Sequence, residues 1–128
     1  MSDGILLIDD DEDDIIFLKE SLLQSGFRSS IDAALSGQQA FQFLDERKEM
    51  LPSLIILDLN MPEMNGIKVL EKLQSDYSIP VIVYTTSYSD EIIDEVKKLG
   101  AMDCLKKGTS YSDNLKFATH VIQLMRSF

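Results

Sequence analysis

Three short apolar runs, Gly4-Ile5-Leu6-Leu7-Ile8, Leu54-Ile55-Ile56-Leu57 and Pro80-Val81-Ile82-Val83-Tyr84, are separated by stretches in which apolar residues recur at helical spacing. Continuous runs this short and this rich in β-branched side chains mark strands buried on both faces. Ser30 to Ala34 and Met102 to Lys106 lie where they complete a set of five. Between them, Ile15, Leu18 and Leu22; Ala40, Phe41 and Leu44; Val69, Leu70 and Leu73; Ile92, Val96 and Leu99; and Leu115, Ala118, Ile122 and Met125 each supply one apolar helix face. Strict alternation of strand and helix needs right-handed crossovers, which build a parallel sheet covered by helices on both sides. The predicted fold class is α/β, doubly wound.

Gly26 and Gly100 fall where the first and fourth helices should stop, because glycine takes the left-handed cap without strain. Ser89-Asp90-Glu91 and Ser112-Asp113 offer helix starts, since their oxygens accept orphan amide hydrogens.

The 128 residues suit one domain over 1–128, with no output domain expected after a last helix that runs almost to the final residue. No apolar run approaches the ~20 residues that cross a bilayer, and the opening Met-Ser-Asp-Gly lacks the features of a signal peptide. A cytoplasmic protein without a membrane role is expected. Cys104, the single cysteine, agrees, since one thiol builds no internal disulfide; it is expected to be a small core residue. The net charge of −10 opposes direct binding to nucleic acid.

In an open parallel sheet, ligands bind beyond the carboxyl ends of the strands. After the first run come six acids, Asp9 to Asp14. Asp11 to Asp14 read as a solvated helix start favoured by the helix dipole. Asp9 and Asp10 follow Ile8 directly, and their hard oxygens suit Mg²⁺. Asp58 follows the third of the five predicted strands; alone it would be a turn former, but it brings a third carboxylate to the same edge. Thr85, Thr86 and Ser87 follow the fourth run with hydroxyls able to donate to a phosphoryl oxygen, although singly they read as turn or capping residues. Lys106 and Lys107 follow the fifth with the positive charge that a phosphate or clustered carboxylates need. Together these residues make a phosphoryl-transfer constellation.

At these four stations the chain resembles the receiver domains of two-component response regulators, from Ile5 to Met125. Ile8-Asp9-Asp10 is similar to the family's acidic pair; Asp58 with Asn60-Met61-Pro62 and Gly66 is similar to its phosphoacceptor loop. Thr85 corresponds to the switch hydroxyl and Lys107 to the family lysine, with Lys106 as fallback. The resemblance implies a flavodoxin-like sheet of five strands in the order 2-1-3-4-5. It implies that Asp58 takes a phosphoryl group from a phosphohistidine or a small phosphodonor. It further implies that Asp10, Asp58 and the Asn60 backbone carbonyl hold Mg²⁺ (or Mn²⁺) directly, with Asp9 acting through water, and that Thr85 and Lys107 contact the phosphoryl oxygens. The implied partners are a histidine kinase or phosphotransfer protein and a downstream protein target, with homodimerisation left open. No enzyme activity beyond self-catalysed phosphorylation and dephosphorylation is implied.

Two positions depart from the family. Gly108 stands where a proline usually follows the lysine, and Cys104 where a switching Tyr or Phe is common. Tyr84 or Tyr88 is a candidate substitute for that aromatic. His120, between residues of the last apolar stripe, reads as a surface or boundary side chain and not as a phosphorelay histidine.

Two other readings compete. One is a binding module of the same fold that works without phosphate. The other is a haloacid-dehalogenase-like phosphatase using Asp9 as nucleophile, although Asp13 occupies the place of that motif's Thr or Val.

Overall fold

In the computed structural model, which describes residues 3–61 and 65–128, strand and helix alternate: β1 (Ile5–Ile8), α1 (Glu12–Gln24), β2 (Ile31–Ala34), α2 (Gly37–Glu46), β3 (Leu54–Leu57), α3 (Gly66–Asp76), β4 (Val81–Thr85), α4 (Asp90–Lys98), β5 (Asp103–Lys106) and α5 (Tyr111–Arg126). The five strands are parallel, in the order β2-β1-β3-β4-β5. Pro62 of the expected loop motif, and the first two residues, lie outside the described residues.

The period of two along each strand splits the core into two layers. Leu6, Ile8, Ile55, Leu57, Val81 and Val83 face α2, α3 and α4, where they meet Ala40, Leu44, Val69, Leu70 and Val96. Ile5, Leu7, Leu54, Ile56, Ile82 and Tyr84 face α1 and α5, where they meet Ile15, Leu18, Leu22, Phe117 and Val121. β1 and β3 are buried along their whole length, which is why their sequence runs are continuous and not alternating. β2 lies at an edge, and only Ala34 of its four residues is fully buried.

Helix ends follow local chemistry. Gly26 and Gly100 have φ of 102° and 100°, the left-handed conformation expected after α1 and α4. Ser89 caps α4 by accepting from the Ile92 amide. Gly66 opens α3 for a different reason: a Cβ there would lie 2.4 Å from the Leu59 Cα, so the helix start and the loop after β3 touch backbone to backbone.

Several sequence expectations are corrected. Gly4 and Pro80 precede their strands, as do Ser30 and Met102, while Thr85 closes β4. α5 starts two residues earlier than Ser112-Asp113 suggested: Ser110 is the cap and accepts from the Asp113 amide. Its buried stripe is Phe117, Ala118 and Val121, with Leu115, Ile122 and Met125 only half-buried. The helix is turned so that Phe117 stacks on Tyr84, with ring centroids 3.7 Å apart and 4° between planes. Cys104 is buried in the core, as expected.

Candidate functional site

The carboxyl ends of β1, β3, β4 and β5 converge on one edge of the sheet. Asp9 follows β1 and Asp58 follows β3; these two acids are 8% and 6% exposed, a degree of burial that carboxylates rarely show without partners. Asp58 is held by register, its amide donating to the Ile8 carbonyl at 2.9 Å. Asp10 beside it is exposed. One oxygen each from Asp9, Asp10 and Asp58 lies within 4.8 Å of the other two.

Lys107 supplies the opposing charge. Its Nζ donates to Asp9 Oδ2 at 2.6 Å and reaches Asp58 Oδ2 at 3.3 Å, and it lies 2.7 Å from Asp14 Oδ2. Lys106 is exposed. Asp14 is the site residue that the sequence reading left in a solvated helix start. Helical side chains tilt toward the N-terminus, so an acid in the first turn of α1 reaches back over the strand edge; that was the available signal.

Burial raises the Asp9 carboxyl from 3.8 to about 6, against the pull of its hydrogen bonds from Lys107 and the Asp11 amide; the neighbouring Asp58 charge adds to the rise. Burial depresses the Lys107 ammonium, but hydrogen bonds to Asp14 and Asp9 and the charges of Asp58 and Asp9 outweigh it and hold the group above its ordinary value. The lysine therefore stays charged throughout the physiological range.

The remaining polar groups form a clasp beside the carboxylates. The Asn60 amide donates to Asp58 Oδ1 at 3.1 Å. The Asn60 side chain donates to Thr86 Oγ1 at 2.7 Å and accepts from the Ser87 hydroxyl at 2.6 Å, joining the loops after β3 and β4. Thr85 is fully buried, and its Oγ1 accepts from the Ser87 amide. Tyr84 is buried, whereas Tyr88 is 41% exposed on the loop after β4. His120 is half-buried on α5 and lies 3.2 Å from Asp103, away from this edge.

The donor set suits a hard divalent cation. Three carboxylate oxygens gathered this closely match the all-oxygen ligands that Mg²⁺ and Mn²⁺ prefer. The same oxygens are chemically able to act as a nucleophile, and the Lys107 ammonium stands 3.3 Å from Asp58 Oδ2.

Residues 5–118 match the response regulator receiver domain family. The chain belongs to that family. It is 39% identical over 105 residues to the transcriptional regulatory protein CpxR of Escherichia coli, covering 80% of this chain and 42% of that protein. It thus spans about two fifths of the length of that relative. It is 32% identical over 103 residues to the sporulation initiation phosphotransferase F of Bacillus subtilis, covering 80% and 79% of the two chains. Among solved structures, the phosphorylated cyanobacterial phytochrome response regulator RcpA superposes with a TM-score of 0.86, at 27% identity over 99% of this chain and 96% of that one. The Mn²⁺-bound form of the response regulator Rcp1 gives a TM-score of 0.81, at 28% identity over 93% and 91%. The receiver fold, with strands in the order 2-1-3-4-5, and the place of the chain in two-component signalling as a phosphorylation-dependent switch follow from this membership.

Proposed function

We propose that Asp58 is the phosphoacceptor of this receiver domain. The observation that carries the reading is the placement of Asp58 Oδ2 within 3.3 Å of the Lys107 ammonium, at a strand end shared with Asp9 and Asp10. An Asp58 oxygen attacks phosphorus, the donor's phosphorus–nitrogen or phosphorus–oxygen bond breaks, and the electron pair leaves with the imidazole or the acid. Asp10, Asp58 and the Asn60 backbone carbonyl would hold Mg²⁺ or Mn²⁺, with Asp9 acting through water. Bound there, the cation offsets the repulsion among the carboxylates and the incoming charge. Lys107 holds the arriving phosphoryl group as a point charge.

Thr85 carries the signal onward. Its oxygen already accepts from Ser87, which leaves its proton for a phosphoryl oxygen, and roughly −2 of new charge on Asp58 supplies the attraction. The Asn60 clasp on Thr86 and Ser87 must then rearrange, and exposed Tyr88 moves with that loop. If Tyr88→Ala left phosphorylation-dependent partner binding unchanged, Tyr88 would have no part in the output.

On this reading the chain works as a single receiver module in the cytoplasm, taking its phosphoryl group from a histidine kinase or phosphotransfer protein and passing the signal by binding a protein. No described helix is long and apolar enough to cross a membrane. The net charge of −10 disfavours nucleic acid as the direct target. Its only chemistry is its own phosphorylation and dephosphorylation. Incubation with Mg²⁺ and acetyl phosphate tests the reading: intact mass should rise by one phosphoryl group in wild type and not in Asp58→Ala. An equal gain in both proteins would remove Asp58 from the role.

A further inference from the structure

The lysine that faces the carboxylates is followed by Gly108, and no described peptide bond is cis. Lys107 is nevertheless placed by two hydrogen bonds that its segment donates to the last two residues of β4. Its own amide donates to the Thr85 carbonyl at 2.8 Å, and the Gly108 amide donates to the Tyr84 hydroxyl at 3.1 Å. The Tyr84 hydroxyl in turn donates to Asn114 Oδ1 at 2.8 Å, on the first turn of α5. A proline at 108 would have no N–H for this bond. Glycine is also the residue that fits, because a Cβ at 108 would lie 2.2 Å from the Asp113 Cβ.

Packing alone does not hold this lysine. A void of about 20 Å³ lies behind it, lined by Asp9, Asp14, Asp58, Tyr84, Lys107 and Asn114 among others. The Asp9, Asp14 and Asp58 carboxylates hold the tip of the lysine, and the bonds to β4 hold its backbone. The Tyr84 ring is itself fixed by stacking on Phe117. Burial pushes the phenol above its ordinary range, against the pull of the Gly108 amide, so the hydroxyl keeps the proton it gives to Asn114.

We propose that the Tyr84 hydroxyl is the positioning group for Lys107: it ties the Lys107–Gly108 segment to the end of β4 and to α5, and so sets the ammonium against Asp58. This rests on the reading of Asp58 as phosphoacceptor. Tyr84 touches neither the carboxylates nor a phosphoryl group and acts through the lysine.

Tyr84→Phe keeps the stacked ring and removes only the hydroxyl. Hydrogen exchange at the Gly108 amide should quicken while the Val83 amide inside the sheet stays protected. The rate of phosphorylation at saturating acetyl phosphate should fall about three- to tenfold, the loss of one ordinary hydrogen bond, with Mg²⁺ affinity unchanged. Asn114→Ala should give a smaller fall, and the double variant should be no slower than Tyr84→Phe, because both act through one hydroxyl. Unchanged Gly108 exchange, or faster exchange with a wild-type rate, overturns the positioning role while leaving the phosphoacceptor reading intact. A wild-type protein that takes no phosphoryl group overturns both.

Discussion

Lys107 Nζ and Asp9 Oδ2 meet at 2.6 Å, joining the end of β5 to the end of β1 across two intervening strands. The pair does not neutralise the site. Three further acids, Asp10, Asp14 and Asp58, share the same lysine or the same carboxylate cluster, so the edge is poised to gain from added positive charge.

Divalent cation should therefore stabilise the folded chain. A ligand at 100 times its Kd adds about 2.7 kcal/mol, which moves the melting temperature of a domain this size by several degrees. Asp10 is exposed, so Asp10→Asn should leave the metal-free fold intact yet sharply reduce the Mg²⁺-induced shift, read by thermal melts with and without the ion. An undiminished shift would remove Asp10 from the binding set.

Asp9 should make metal-free stability fall with rising pH. Its folded value, about 6, stands above the ordinary 3.8, so its contribution is complete below about 3.8 and is lost as pH passes 6. The loss is up to about 3 kcal/mol at 1.36 kcal/mol per unit. Relative to wild type, Asp9→Asn should gain stability between pH 4 and 7 in chelator-containing buffer. A difference that stayed flat with pH, measured by denaturant titration, would contradict the burial argument.

Removing the lysine should cost both stability and reaction. Lys107→Ala leaves Asp9 and Asp58 without their cation, at about 1–3 kcal/mol near neutral pH, and slows phosphorylation by acetyl phosphate at least tenfold. Lys106→Ala, at an exposed position, should change neither. Reversed effects in the two variants would exchange their roles.

Gly66→Ala tests the loop that carries Asn60. The new Cβ would meet the Leu59 Cα at 2.4 Å and its carbonyl oxygen at 2.7 Å, both backbone atoms that cannot swing aside. About 1–3 kcal/mol of destabilisation is expected from this overpacking, measured by urea unfolding. A neutral effect would mean that the loop yields.

Much of this architecture was legible in the sequence because buried parallel strands leave continuous runs such as Leu54-Ile55-Ile56-Leu57, and because Gly26 and Gly100 mark positions of positive φ. Asp9 and Asp58 stand directly after such runs, and Lys107 directly after β5. Asp14 was hidden because an acid in a first helical turn is well explained by the dipole, and only the three-dimensional edge shows what it leans over. The face of α5 was misjudged because Leu115, Ile122 and Met125 keep helical spacing as well as Phe117 and Val121 do; the Tyr84 ring decides which stripe turns inward. The bond between Gly108 and Tyr84 joins residues 24 apart, so no local pattern announces it.

The most direct test is to locate the phosphoryl group itself. Protein phosphorylated with acetyl phosphate and Mg²⁺ is reduced with borohydride, which converts an aspartyl phosphate to homoserine, and the digested peptides are sequenced by mass spectrometry. Homoserine at position 58 is the predicted result. Homoserine at position 9 with Asp58 unaltered would contradict the account and favour the phosphatase-like use of Asp9.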